Sequence, residues 1–198
     1  MYGLVLNTAA AVHPISVAEA TKQIGVPEGD AYIEDDVRRL IPAAVELVQQ
    51  RTGRQLVNAT WDLRLDHWPC GLDPILIPRN PLSSVTSITY SDTSGNSQTL
   101  ATTVYMAITS REPGEIRLKN AQSWPSLYGQ SDVIVVRFVA GYGAAASSVP
   151  ETLKRACLLQ LQILWDDEHR EDTTKANERL DHLLNTLGVG DEFHAYSR

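Results

Sequence analysis

The sequence predicts an α+β fold: a helical bundle built from both ends of the chain, with a small β-rich insertion between them. Three observations predict it. Apolar residues near both ends recur at the three-to-four spacing of a buried helix stripe. Between Leu56 and Gly143 the period changes to two. A glycine-bearing joint, Gly141-Tyr142-Gly143, then separates the strand pattern from the last helical patterns. The expected divisions are residues 1–55 for the N-terminal helical part, 56–143 for the insertion, 144–187 for the C-terminal helical part and 188–198 for an extended tail.

The first helix signal is Ser16-Val17-Ala18-Glu19, a capping box in which serine and glutamate satisfy each other's backbone N–H groups. Ile15 and Ala20 stand where a hydrophobic staple would, and Gly25 and Pro27 end the helix. A second helix is expected from about Asp30 to Thr52. Its stripe is Ile33, Val37, Leu40, Ile41, Ala44 and Val48, with a kink at Pro42 and a stop at Gly53.

Trp61, Leu63 and Leu65 alternate with Asp62, Arg64 and Asp66, the pattern of a half-buried strand. Val85 to Tyr90 alternates as well, and Ser91-Asp92-Thr93-Ser94-Gly95-Asn96 has the composition of a hairpin turn. Further strands are expected at Thr103 to Ile108, Glu115 to Leu118 and Asp132 to Ala140. Six prolines between 69 and 125 punctuate this region, which favours short strands. The third helix is expected from Pro150 to Glu168, with Ser147 or Ser148 as its cap. A last helical pattern holds Ala176, Leu180, Leu183, Leu184 and Leu187 and closes at Gly188. Leu40, Ile41, Val48, Leu153, Cys157 and Leu164 are expected to be buried together, as the core between helix 30–52 and helix 150–168.

A length of 198 residues suits one domain, or one domain with a sizeable insertion. Hydrophobic content of 43% and charged content of 21% are ordinary for a globular chain. No apolar run approaches the length of a membrane span, and MYGLVLNTAAAVHP lacks the basic start of a signal peptide. The net charge is −7, and residues 149–198 carry the excess, ten acids against six bases. Such a balance does not indicate a basic face for nucleic acid. Cys70 reads as a loop thiol and Cys157 as a small core residue; two cysteines make no disulfide framework.

Chemistry-bearing patterns are sparse. Gly141-Tyr142-Gly143-Ala144-Ala145-Ala146 satisfies the G-x-G-x-x-[GA] dinucleotide fingerprint. The fingerprint works only when its glycines open the helix, so that a pyrophosphate sits on the helix N-terminus. Here Ser147, Ser148, Val149 and Pro150 intervene, and no Lys-[Ser/Thr] pair follows. The stretch is read as a strand-to-helix joint. Of the five histidines, His13, His67, His169, His182 and His194, none forms a compact ligand pair, and no cysteine pair has zinc spacing. Asp66-His67 and Asp181-His182 are sequence neighbours whose side chains diverge on a strand or helix. The acidic run 166–172 admits a cation site, but a charge run at a helix end reads first as solvated surface. No catalytic residue, metal ligand or cofactor is assigned, and the chain is expected not to be an enzyme.

Six stretches in fixed order carry a family resemblance: ISVAEATKQIGVP, DAYIEDDVRRLIPAAVELVQQRTGRQL, TWDLRLDHWP, IPRNPLSSVTSITYSDTSG, VRFVAGYG and VPETLKRACLLQLQILWDDEHRED. Together, over roughly residues 15–172, they resemble the head–tail connector (adaptor) proteins of tailed bacteriophages and gene transfer agents, the HK97-type and phiE125-type connectors. Two departures stand out. The family often continues as W-x-x-R after the last bundle helix, where this chain has Trp165 followed by Asp166-Asp167-Glu168, and the tail from about Thr173 has no match.

The resemblance implies a non-enzymatic ring protein of twelve copies. It would sit under the portal protein in the virion neck, extend the DNA channel without binding DNA specifically, and offer a platform to the next connector, stopper or tail protein. It would assemble in the host cytoplasm and need no membrane. Gly141 and Gly143 would be the hinge where the insertion returns to the bundle. The tail, through Phe193, Tyr196 and Arg198, would dock on the portal. Two rival readings remain at this stage: a small metal-assisted hydrolase built on the acidic run, and a protein-binding module of the bacterial cell.

Overall fold

The computed structural model describes residues 2–27, 29–169 and 172–186. Within them the chain is mixed α/β, with four α-helices and two antiparallel sheets. In chain order the elements are β1 (Tyr2–Thr8), α1 (Val17–Ile24), α2 (Ala31–Thr52), β2 (Ala59–Leu65), β3 (Ile75–Leu76), β4 (Leu82–Ser91), β5 (Ser97–Thr99), β6 (Tyr105–Ile108), β7 (Glu115–Leu118), β8 (Ile134–Ala140), a 3-10 turn (Ala146–Ser148), α3 (Glu151–Glu168) and α4 (Thr174–Thr186). They group into two compact units. One joins Met1–Ala11 to Asn58–Tyr142; the other joins Val12–Val57 to the chain from Gly143 onward.

The first unit holds both sheets. The larger runs β1-β2-β8-β4-β5 and the smaller β3-β7-β6. Its core comes from strand residues two apart: Leu63 on β2, Ile88 on β4, and Ile134, Val136 and Phe138 on β8. Phe138 stands opposite Trp61 and Val85, and Val136 opposite Leu63 and Ile88, so one face of three strands closes over one apolar layer. Ile77, Leu82 and Ile116 extend it. Trp68 stacks on Trp124 with ring centroids 4.6 Å apart, and its indole N–H donates to the Pro125 carbonyl at 2.9 Å. The hairpin between β4 and β5 is organised by Asp92, whose Oδ1 accepts from the Ser94 and Asn96 N–H groups.

Two sequence expectations change here. Residues 1–55 were assigned to the N-terminal helical part with no element read before Ser16; within them Tyr2–Thr8 is a strand, paired antiparallel with β2. Its partner lies more than fifty residues away, a relation that local periodicity does not carry. Asp62 was expected on the polar side of a half-buried strand, yet it is only 6% exposed, while Trp61 is half-buried. Side chains from the two flanking strands reach over that face: Asn7 of β1 and Arg137 of β8 both bond the Asp62 carboxylate.

The second unit holds the helices. The Ser16–Glu19 capping box is present in both directions, and Gly25 closes α1 in the left-handed conformation at φ 75°. Asp30 caps α2 by accepting from the Tyr32 and Ile33 N–H groups, and Gly53 closes it at φ 63°. α2 runs unbroken through Pro42. α1 packs on α2 and α3, α2 on α3, and α3 on α4. Gln23 donates to Gln162 at 2.9 Å, and Arg51 pairs with Asp181.

Ile41, Val48, Leu153 and Cys157 are all buried. Leu40 and Leu164 are half-buried. The buried line of α2 is Val37, Ile41, Ala44, Val45 and Val48. Successive helix residues turn by about 100°, so Ile41 on that line moves Leu40 to its margin. Leu164 lies where Ile163 and Trp165 are also half-buried. The cap of α3 also differs: Ser147 and Ser148 lie in the 3-10 turn, and Pro150 is the cap, its carbonyl accepting from Leu153 and Lys154.

Candidate functional site

Glycine at the joint answers to space and backbone conformation. Gly141 ends β8 at φ 136°, and its N–H donates to the Pro81 carbonyl at 2.9 Å. A Cβ there would stand 2.6 Å from the Asn58 backbone nitrogen and 2.7 Å from its Cα. At Gly143 a Cβ would meet the Ser148 side chain. α3 begins at Glu151, beyond the 3-10 turn. The glycines therefore do not open a helix, as a phosphate cradle requires. They permit close backbone approach on each side of the boundary between the units, which falls between Tyr142 and Gly143.

Among the described residues, the acidic run offers no ligand cage. Asp166 is buried, whereas Asp167 and Glu168 are exposed; Arg170 and Glu171 lie outside the described residues. No group of three metal-ligating side chains occurs among the described residues. His169 lies against Trp165, ring centroids 4.1 Å apart, with its Nδ1 2.8 Å from the Trp165 carbonyl oxygen.

One polar cluster escaped the sequence reading. Asp62 and Arg137 are register partners on β2 and β8, joined by two contacts of 2.8 Å. Asn7 Nδ2 donates to the same carboxylate at 3.3 Å, so three adjacent strands share one clasp. The Arg137 guanidinium holds the Asp62 carboxyl below the usual carboxylate range. A signal was there: Arg137 is the one cation within VIVVRFVA, and a lone charge in an apolar strand needs a partner. The clasp ties β1, β2 and β8 together and reads as structural.

Some large apolar side chains face outward. Tyr32 on α2 is 88% exposed and Leu72, in the loop after Cys70, 81%. Around Tyr32, Asp35 pairs with Arg38 and Asp36 with Arg39, so the charges of that face neutralise one another. Phe193, Tyr196 and Arg198 lie outside the described residues. No helix among the described residues is long and apolar enough to cross a membrane.

No family model matches the sequence, and no curated protein sequence is significantly similar to it. Solved structures do match its fold. A chain in the virion of a native gene transfer agent particle is 22% identical, with a TM-score of 0.69, over 82% of this chain and 84% of that one. A chain in the neck of the empty particle, computed with C6 symmetry, is 21% identical, with a TM-score of 0.70, over 90% and 94%. A chain in the neck of the native particle, computed with C12 symmetry, is 23% identical, with a TM-score of 0.65, over 89% and 94%.

Proposed function

We propose that this chain is a structural head–tail connector (adaptor) of a tailed phage or phage-like particle. The observation that carries the reading is the likeness in fold, over nearly the whole chain, to chains from gene transfer agent necks. The ordered motifs of the HK97-type and phiE125-type connectors point the same way independently. The likeness to particle neck chains does not favour the hydrolase reading.

In this reading twelve copies form a ring under the portal in the virion neck, after assembly in the host cytoplasm. The helices from both ends of the chain form one bundle, and Gly141 and Gly143 serve as the hinge from which the β-rich part returns. The ring extends the DNA channel, and a net charge of −7 suits a conduit that holds DNA weakly. One axial face meets the portal, through Phe193, Tyr196 and Arg198; the other receives the next connector, stopper or tail protein. A ring subunit needs two complementary lateral faces and no catalytic centre. Size-exclusion chromatography with light scattering, alone and with a portal protein, tests this. Association into a ring or capture by the portal is expected; a 21.8 kDa monomer that ignores the portal would overturn it.

A further inference from the structure

Among the described residues, neither lateral end of the larger sheet is fully covered by a further strand. At one end β1 pairs with β2 alone, leaving its outer backbone edge without a strand partner among the described residues. Edge strands are commonly blunted by proline, charge, shortness, a bulge or a covering element. β1 is seven residues long, its sequence YGLVLNT holds neither proline nor charge, and its one register irregularity lies at its end, between Leu6 and Thr8. Val5 and Leu6 are 46% and 47% exposed. Such an edge is a template for another strand.

At the other end, β5 is too short to finish the sheet. β4 has ten residues, and β5 pairs only with Thr89, Tyr90 and Ser91. The earlier half of β4 has no strand partner on its outer edge among the described residues, and Ser83, Ser84 and Thr86 there are exposed. This half carries no charge either, and two register irregularities against β8 bend it.

Strand direction chooses between possible pairings. Every neighbour in β1-β2-β8-β4-β5 is antiparallel, so β4 runs opposite to β1 and β5 runs with it. In a ring, a neighbouring copy is related by a rotation, and a twelve-fold operator turns it by about 30°, too little to reverse the direction of a strand. β1 of one copy laid on the open half of β4 of the next therefore continues the alternation. Laid on β5 it would be parallel. Two β1 strands pairing with each other would make an isologous dimer, which closes without a ring.

We propose that neighbouring copies join head to tail by adding β1 of one copy to the open half of β4 of the next. The inference rests on the ring reading above, and the test separates the two. In a full-length chain carrying Cys70→Ser, cysteine is placed at position 5 or 6 and at position 84 or 86, giving four double variants, all at exposed sites. After mild oxidation at high protein concentration, at least one pair should give a disulfide-linked ladder on a non-reducing gel. Leu6→Lys in the native chain should lower the oligomer fraction at least tenfold while leaving the unfolding temperature unchanged. A ring by light scattering in which none of the four pairs links overturns the strand addition and leaves the ring reading standing. Linked dimers from Leu6→Cys alone, or preferential linking of Leu6→Cys with Gln98→Cys, overturn it in favour of β1–β1 or β1–β5 pairing. A chain that stays monomeric throughout overturns both readings.

Discussion

Asp62 and Arg137 meet across β2 and β8 in a two-point ion pair, in which a nearly buried carboxylate is held by a half-exposed guanidinium. The pair ties the middle of the sheet together, and Asn7 brings β1 into it. Asp62→Asn keeps the size of the side chain and removes the charge. It should lower the thermal unfolding midpoint measurably at neutral pH. Because its folded pKa lies below the unfolded value of about 3.9, Asp62 stabilises the fold above that value, and the contribution is lost as pH falls through the folded pKa. The gap between wild type and Asp62→Asn should thus be full at pH 7 and close in strong acid. A gap that stays constant to the acid limit would show that the charge pair is not its cause.

The two joint glycines should respond differently to substitution. Gly141→Ala meets both a positive φ and the Asn58 backbone, neither of which can move cheaply. A loss of about 2 kcal/mol or more is expected. Gly143→Ala meets only the Ser148 side chain. Adding Ser148→Gly should recover much of that second loss and none of the first. Denaturant melts of the two single variants and of each combined with Ser148→Gly check this. The same proteins should bind neither ATP nor a nicotinamide dinucleotide at micromolar concentration, and measurable binding would contradict the joint reading.

Within the helical unit, Leu153 is 2% exposed, whereas Leu40 is half-buried. Leu153→Ala should cost roughly 2–5 kcal/mol, the range for a core leucine. Leu40→Ala should cost less than half as much as Leu153→Ala, since less apolar surface leaves water there. Equal losses in urea melts would return Leu40 to the centre of the core.

What the sequence made legible follows from the range of each signal. Caps are local: Ser16 with Glu19, Asp30 before α2, and Gly25 and Gly53 after their helices can be read within four residues. Helix faces are nearly local, and most of the stripe on α2 is where periodicity put it. β1 was missed because a strand is defined by its partner, and Leu4 meets Leu63 only after the chain has passed through two helices. Asp62 was misplaced for the same reason, since its burial depends on β1 and β8 together. The joint was readable because chemistry excluded the alternative: a helix that starts at Glu151 cannot present its N-terminus to a phosphate held by Gly141 and Gly143.

The two thiols should separate cleanly. Burial pushes the Cys157 thiol up to about 12, so it stays protonated and shielded, while Cys70 is exposed. One equivalent of a thiol reagent should react with the native protein at pH 8 and two with the unfolded chain. Cys70→Ser should abolish the native reaction. Fast reaction of both thiols in the native protein would mean that α3 opens readily.

The last expectation concerns the end of the chain, Gly188-Val189-Gly190-Asp191-Glu192-Phe193-His194-Ala195-Tyr196-Ser197-Arg198, and is argued from sequence. Gly188 and Gly190 stop a helical pattern and free the chain to change direction. Phe193 and Tyr196 are two aromatics in a segment too short to bury them by folding alone. Aromatics that reach a desolvated pocket on a partner are the usual anchors of an interface, and truncating one commonly loses about 2 kcal/mol or more. Arg198 would add a charge-assisted contact at the same place. Deleting residues 189–198 should therefore leave a subunit with an unchanged unfolding temperature that no longer joins portal-bearing, DNA-filled heads. The double variant Phe193→Ala/Tyr196→Ala should reproduce most of the defect. Quantifying the chain on purified heads reads the outcome. Wild-type occupancy by the truncated protein would move the portal contact to the helices or to the sheets.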